Sequence, residues 1–254
     1  MAKGVSIKFK SYQETVPKLL QLIKLGQEIA KHDTIILKPS LRNLNSKNTP
    51  SEFTEAVLRF CLENKSSEAK VFIAEGADSL DTQEVFEKAG YRQLAEQYSI
   101  GLIDLNTSDV EQIQDGEFLK FESIMYPQIL TNSFLISLPL LAEDDELEMQ
   151  ASLSNMIGAF PAEHYSGFFS SNKNKIRKWP MKYSIHDILK CKMPNFAIID
   201  ASEQGVILAG MPLDMDMQAS RLLGKPWNSI QHLRLVNESF KKELALPAQA
   251  PIAQ

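Results

Sequence analysis

The chain has 254 residues, and 27 Lys plus Arg stand against 32 Asp plus Glu, a net charge of −5. That acidic balance argues against a nucleic-acid partner, because phosphate neutralisation needs clustered cations. Two cysteines, Cys61 and Cys191, exclude a disulfide framework, and the absence of an apolar signal core or a long apolar run points to a cytoplasmic protein with no membrane partner.

Val5, Ile7 and Phe9 alternate with polar residues, the period of a half-buried strand. Val16, Leu19, Leu20 and Ile23 recur at helical spacing and predict one amphipathic helix over 13–32. Thr34–Lys38 is an apolar run ended by Pro39, which reads as a buried strand. A loop follows over 41–48. Thr49, Pro50 and Glu52 form a helix start with Thr49 as cap, and the helix runs over 51–63. Lys70–Ala74 is a second buried strand. Asp81 or Thr82 opens a helix through Lys88, and Gly90 closes it. A further helix covers 91–98, and a strand covers 100–105. Three strand–helix steps in a row argue for parallel crossover units, in which ligands sit beyond the carboxyl ends of the strands.

The second half is less regular. Thr131–Leu138 predicts a strand stopped by Pro139. Residues 147–157 read as a helix ending near Gly158, after an acidic run from Glu143 to Glu148. Residues 166–179 lack an apolar period and read as a long loop or lid carrying Lys173, Lys175, Arg177 and Lys178. Short elements follow: a helix over 184–190, strands over 195–200 and 206–208, and a helix over 214–223 closed by Gly224. The Ala/Pro-rich tail 244–254 reads as frayed. The fold class is therefore α/β: three layers around a mixed, mostly parallel sheet. Residues 1–243 form one domain, with an irregular insertion at about 141–182 over the carboxyl edge.

Neither glycine-rich phosphate cradle is present. No metal site is expected from the four scattered histidines, and no cofactor can be named. Glu75, Asp104 and Asp200 each sit at the end of an apolar strand, where a carboxylate can bind a cation, accept a hydroxyl or act as a base. Each can equally cap the next turn. Lys38, at the end of the first buried strand, can hold an anion or pair with a carboxylate.

Several of these segments resemble one family. IILKPSL at Ile35–Leu41, followed by Thr49-Pro50, resembles the opening strand and helix start of the domain-of-unknown-function 362 (DUF362) family. VFIAEGAD at Val71–Asp78 is similar to its second strand. EKAGYRQLAEQYSIGLIDLN at Glu87–Asn106, NSFLISLPLL at Asn132–Leu141 and LSNMIGAFP at Leu153–Pro161 follow in the family's order. So do PNFAIIDA at Pro194–Ala201 and LDMDMQASRLLG at Leu213–Gly224. The family pattern keeps Lys38, Glu75, Asn155, Gly158, Asp187, Asp200 and Asp216. It departs where the family's Lys-x-His becomes part of LLAEDDE and its Lys-Asn pair becomes Ser154-Asn155. Its asparagine after the first strand is Ser40. The cysteine-rich ferredoxin-like modules of many members are missing.

The resemblance implies no assigned reaction, so whether the chain is an enzyme stays open. Together with strand-end placement it implies a cleft that binds a small anionic metabolite. Lys38, Ser40, Glu75, Asn155 and Asp187 are the expected ligand-binding residues, and Lys38, Glu75 and Asp200 the catalytic candidates. The alternative is a non-catalytic member that lost its active groups and acts as an interaction or partner subunit. Alanine at Lys38 or Glu75 is expected to abolish ligand binding at a nearly unchanged melting temperature. Oligomeric state is not readable from the chain.

Overall fold

Alternating and continuous apolar runs become strands in the order they are read. A computed structural model describes residues 4–78, 81–167 and 172–245, with side chains as far as Phe240. The strands are β1 (Val5–Lys8), β2 (Thr34–Pro39), β3 (Lys70–Glu75), β4 (Gly101–Asp104), β5 (Val110–Ile113), β6 (Ile124–Pro127), β7 (Phe134–Leu138), β8 (Ala142–Asp144), β9 (Glu148–Gln150), β10 (Phe196–Ala201) and β11 (Val206–Gly210). The helices are α1 (Tyr12–Leu22), α2 (Leu25–Ile29), α3 (Ser51–Asn64), α4 (Thr82–Lys88), α5 (Tyr91–Tyr98), α6 (Gln128–Thr131), α7 (Ala162–Tyr165), α8 (Met181–Cys191), α9 (Pro212–Leu222) and α10 (Gln231–Ala245).

Seven strands form one sheet in the order β1-β11-β10-β7-β2-β3-β4. Strands β10, β7, β2, β3 and β4 pair in parallel, while β11 runs against both β10 and β1. Each central strand is covered on both faces, which is why β2 and β7 read as unbroken apolar runs. Ile35 and Leu37 of β2 join a cluster with Leu19 of α1, Phe53 of α3 and Tyr91 of α5. Ile36, between them, joins the opposite cluster with Ile188 of α8, Met215 of α9 and Leu233 of α10. Three layers result.

The strand order contains a reversal. From β2 the chain builds outward through β3 and β4, then returns to lay β7 on the other side of β2 and builds toward β10 and β11. The carboxyl ends of β2 and β7 therefore flank a topological switch point, the usual place for a ligand crevice in such sheets. Over this edge lie the β8–β9 hairpin and a 3-10 helix, Ser154–Ala159.

Several expectations are corrected by tertiary contacts. The helix expected over 13–32 is split, because Lys24 is left-handed at φ 59° between α1 and α2. Beside that break, Asn64 of α3 packs so closely on Gly26 that a Cβ there would lie 2.4 Å from its Oδ1. Thr49 does not cap α3. Its hydroxyl donates to the Leu138 carbonyl at 2.7 Å and accepts the Ser40 amide at 2.9 Å, stitching the ends of β7 and β2. The helix expected over 147–157 is instead strand β9 followed by the 3-10 helix. The carboxylate of Asp144 accepts the amides of Glu146 and Leu147, which makes the acidic run a hairpin turn. Asp216 of α9 then takes the amides of Ser152 and Leu153 and holds that backbone in place. The strand expected from Thr131 begins at Phe134, after α6. The β5–β6 hairpin and α10 have no counterpart in the sequence reading.

Part of the expected lid (168–171) and of the tail (246–254) lies outside the described residues. Among the described residues no helix is long and apolar enough to cross a membrane. Nor does any group of three or more His, Cys, Asp or Glu among them stand close enough to hold a metal ion.

Candidate functional site

Lys38 is the penultimate residue of β2. It points to the same face as Ile36, under the 3-10 helix, and is completely buried. Its Nζ donates to Glu75 Oε1 at 2.7 Å, to the Asn155 carbonyl at 2.8 Å and to Asn155 Oδ1 at 3.2 Å. Three acceptors for three N–H groups is the arrangement of an ammonium ion. Glu75, the last residue of β3, is buried too. Its Oε2 accepts the Leu41 amide at 3.1 Å and its Oε1 the Gly76 amide at 2.8 Å. Burial pushes the Lys38 pKa down, and the Glu75 carboxylate only partly offsets that fall.

Asn155 closes the other side. Its Nδ2 donates to the Lys38 carbonyl at 2.9 Å and to Ser137 Oγ of β7 at 3.0 Å. One side chain thus spans the switch point, touching β2, β7 and the lysine. This close packing requires a missing side chain. A Cβ on Gly158 would stand 1.9 Å from Glu75 Oε1 and 2.6 Å from Lys38 Nζ. Gly158→Ala should therefore cost about 1–3 kcal/mol in urea denaturation, the usual range for overpacking. An unchanged midpoint would mean that the ion pair has room to shift.

A second lysine arrives from the segment expected to be a loop. Lys173 is also completely buried. Its Nζ donates to two backbone carbonyls, Gly76 at 2.8 Å and Gly158 at 3.3 Å. Burial pushes its pKa down to about 7; Glu75 and Asp78 pull it up, and Lys38 pushes it further down. The sequence reading named Lys173 only as part of a cationic run. No periodicity marks it, because the segment that carries it is irregular.

Both ends of this arrangement border one small pocket, lined by Ser40, Glu75, Ser154, Asn155 and Lys173 with Arg42 and Asp78 toward its mouth. The space open to the centre of a water molecule is about 20 Å³, room for one or two waters. Charged groups close the mouth. Arg177 meets Asp78 at 2.5 Å and Glu146 at 2.7 Å, while Arg42 meets Asp144 and, at 3.0 Å, Glu146. The Nε of Arg42 is buried without a hydrogen-bond partner. A wider groove of about 600 Å³, bordered by Thr34, Ile103, Asp109 and Gln128, has no buried side chain in its lining.

Of the remaining candidates, Ser40 joins the pocket and Asp200, Asp187 and Asp104 sit elsewhere. Ser40 lines the pocket, with its amide held by Thr49. Asp200 does not join Lys38. It lies on the other side of β10 from Ile199, where Tyr12 of α1 donates to its Oδ2 at 2.7 Å and the Ser202 amide donates to its Oδ1. The alternation of β10 makes this unavoidable, since successive side chains face opposite layers. Asp187 is also remote. It accepts the amides of Leu119, Lys120 and Phe121 and meets His186 Nδ1 at 2.7 Å. Burial raises its pKa, but those hydrogen bonds outweigh it and hold the carboxyl below its ordinary range. It ties the 119–121 loop to α8. Asp104 turns back to the Asn106 amide.

The family model described as "Domain of unknown function (DUF362)" matches residues 35–221, a span that holds Lys38, Glu75, Asn155 and Lys173. The chain belongs to this family. Comparison with curated proteins finds no match. Among solved structures, the DUF362 chain is similar to the lactate racemase apoprotein from Thermoanaerobacterium thermosaccharolyticum, with a TM-score of 0.56 and 15% identity. The similarity covers 88% of this chain and 57% of that one, so the chain spans little more than half its length. It shows a shared α/β fold.

Proposed function

We propose that the DUF362 chain binds a small anion, best a carboxylate, in the switch-point pocket beside Lys173 and Arg42. The observation that carries this reading is charge imbalance. Arg42 and the completely buried Lys173 line the pocket with two carboxylates. Of these, Glu75 is already paired with the completely buried Lys38 behind it, and Asp78 with Arg177. A buried cation needs a counter-charge, and an entering anion supplies one. The unpaired Arg42 Nε adds a donor beside it. Entry requires Arg42 and Arg177 to part from Asp78, Asp144 and Glu146, and an anion competes for those same guanidinium groups. The two free cysteines suit a reducing compartment, which supports a cytoplasmic location.

Titration calorimetry tests the reading with lactate, pyruvate, acetate and phosphate at millimolar concentration; lactate is included because of the similar structure's name. Binding should take up a proton above pH 7, since the anion recharges an amine whose pKa lies at about 7. Affinity should then fall as pH rises past that value, by up to about tenfold per unit. Lys173→Met should bind more weakly and lose that pH dependence. Absence of heat with all four anions overturns the proposal.

A second reading has its own observation. The pocket is filled to about 20 Å³ by its own side chains, as expected if the lysine–glutamate pair is an internal staple in a non-catalytic partner subunit. Failure of all four anions to bind, together with raised stability of the double variant Lys38→Met/Glu75→Leu, would favour it.

A further inference from the structure

We propose that Lys173 is the nucleophile of this pocket and condenses with the carbonyl group of a small 2-oxo acid to form an imine. This deepens the anion-pocket reading and rests on it for the placement of the acid's carboxylate. The two buried lysines are not equivalent. Lys38 spends three N–H groups on three acceptors, one of them a carboxylate at 2.7 Å. It is pinned as an ammonium and has no lone pair to offer. Lys173 makes two hydrogen bonds, both to carbonyl oxygens. A neutral amine has two N–H groups, so it satisfies both carbonyls and keeps its lone pair.

The surroundings favour that neutral form. The nearest acceptors carry no full charge, and burial holds the amine at a pKa of about 7. An ordinary lysine near 10.4 is well under about 1 % neutral at pH 8. Desolvation of this kind is a known route to a nucleophilic lysine. Its pocket also contains the second element that a 2-oxo acid needs, a cation for the carboxylate, in Arg42.

The step balances. The Nζ lone pair attacks the carbonyl carbon, and the C=O π pair moves to oxygen, which takes up a proton. The resulting carbinolamine loses the oxygen with the two amine hydrogens as water, and C=N forms. No oxidant or reductant is consumed.

The full-length protein incubated with pyruvate and sodium cyanoborohydride at pH 8, then digested and read by mass spectrometry, tests this. Hydride reduction of the imine leaves a stable secondary amine. The expected result is an adduct on Lys173 at least about tenfold above ordinary surface lysines, whose neutral fraction is far smaller. Lys192, also held by two carbonyls with its pKa lowered to about 8, lies outside the pocket that contains Arg42 and should be labelled less than Lys173. Lys173→Arg should lose that adduct while its melting curve shows a folded protein. Site mapping on the unaltered protein keeps the test decisive even if the variant does not fold. Labelling spread over surface lysines with Lys173 unmodified overturns the inference. Calorimetry separates the two proposals: pyruvate that binds without reaching Lys173 sinks the imine and leaves the anion pocket standing. Adduct formation on Lys173 without competition by acetate or lactate supports the imine and overturns the anion pocket.

Discussion

Glu75→Ala should lower the melting temperature by about 10 °C. The substitution removes the carboxylate that faces Lys38 Nζ at 2.7 Å, in a site where both side chains are almost entirely shielded from water. Breaking a buried pair from one side typically costs about 3–5 kcal/mol, because the remaining charge has no partner and little solvent. A chain of this size loses roughly 2–4 °C per kcal/mol. The amides of Leu41 and Gly76 lose their acceptor as well. Lys38→Met/Glu75→Leu removes both charges and should recover part of the loss, so the double variant melts above Glu75→Ala. Calorimetric melting of the three proteins checks the order. A Glu75→Ala protein that melts with the unaltered one would show that water reaches the pair. This reverses the expectation from sequence that either alanine variant keeps its stability. That expectation placed the two groups at an open rim, whereas they lie beneath the 3-10 helix that carries Asn155.

Lys173→Met should change how stability depends on pH. In the unfolded chain the lysine holds its proton up to about pH 10.4. In the folded chain it releases the proton near pH 7. Between those values the unfolded state binds more protons, so folding stability from this group rises with pH, by about 1.4 kcal/mol per unit. Below pH 7 the cost of burying the charge is fully present; above pH 10 it is gone. Methionine fits a similar volume and carries no such cost. The variant should therefore exceed the unaltered protein in stability at pH 6 and lose that advantage steadily toward pH 9. Urea denaturation of both at a series of pH values measures the difference, in which all other titrating groups cancel. Parallel curves would show that Lys173 keeps its proton in the folded protein. Bound anion would shift the window upward, so the two curves in excess acetate should converge less steeply.

Local chemistry made much of the first half readable. Asp81 accepts the Gln83 amide and starts α4, and Gly90, at φ 79°, ends it, as the spacing predicts. Lys38 and Glu75 were found by one rule, that polar groups at the ends of parallel strands face a common crevice. The rule failed for Asp200 because it locates the end of a strand but not the face, and β10 turns that carboxylate to Tyr12 of α1. It missed Lys173 for a different reason. Nothing within residues 166–179 records where that segment docks.

By itself the chain determined its layers and the edge at which to look, because apolar periodicity and turn residues act over a few positions and need no distant partner. Only the tertiary structure decided which groups meet there. Lys38, Glu75, Asn155 and Lys173 are separated by 37, 80 and 18 positions, and their contacts arise from strand order and from packing of the 142–178 region over the switch point. Hydrogen-bond partners, not residue type or burial, then distinguish the two lysines: Lys38 meets three acceptors, one a carboxylate, and Lys173 meets two carbonyls.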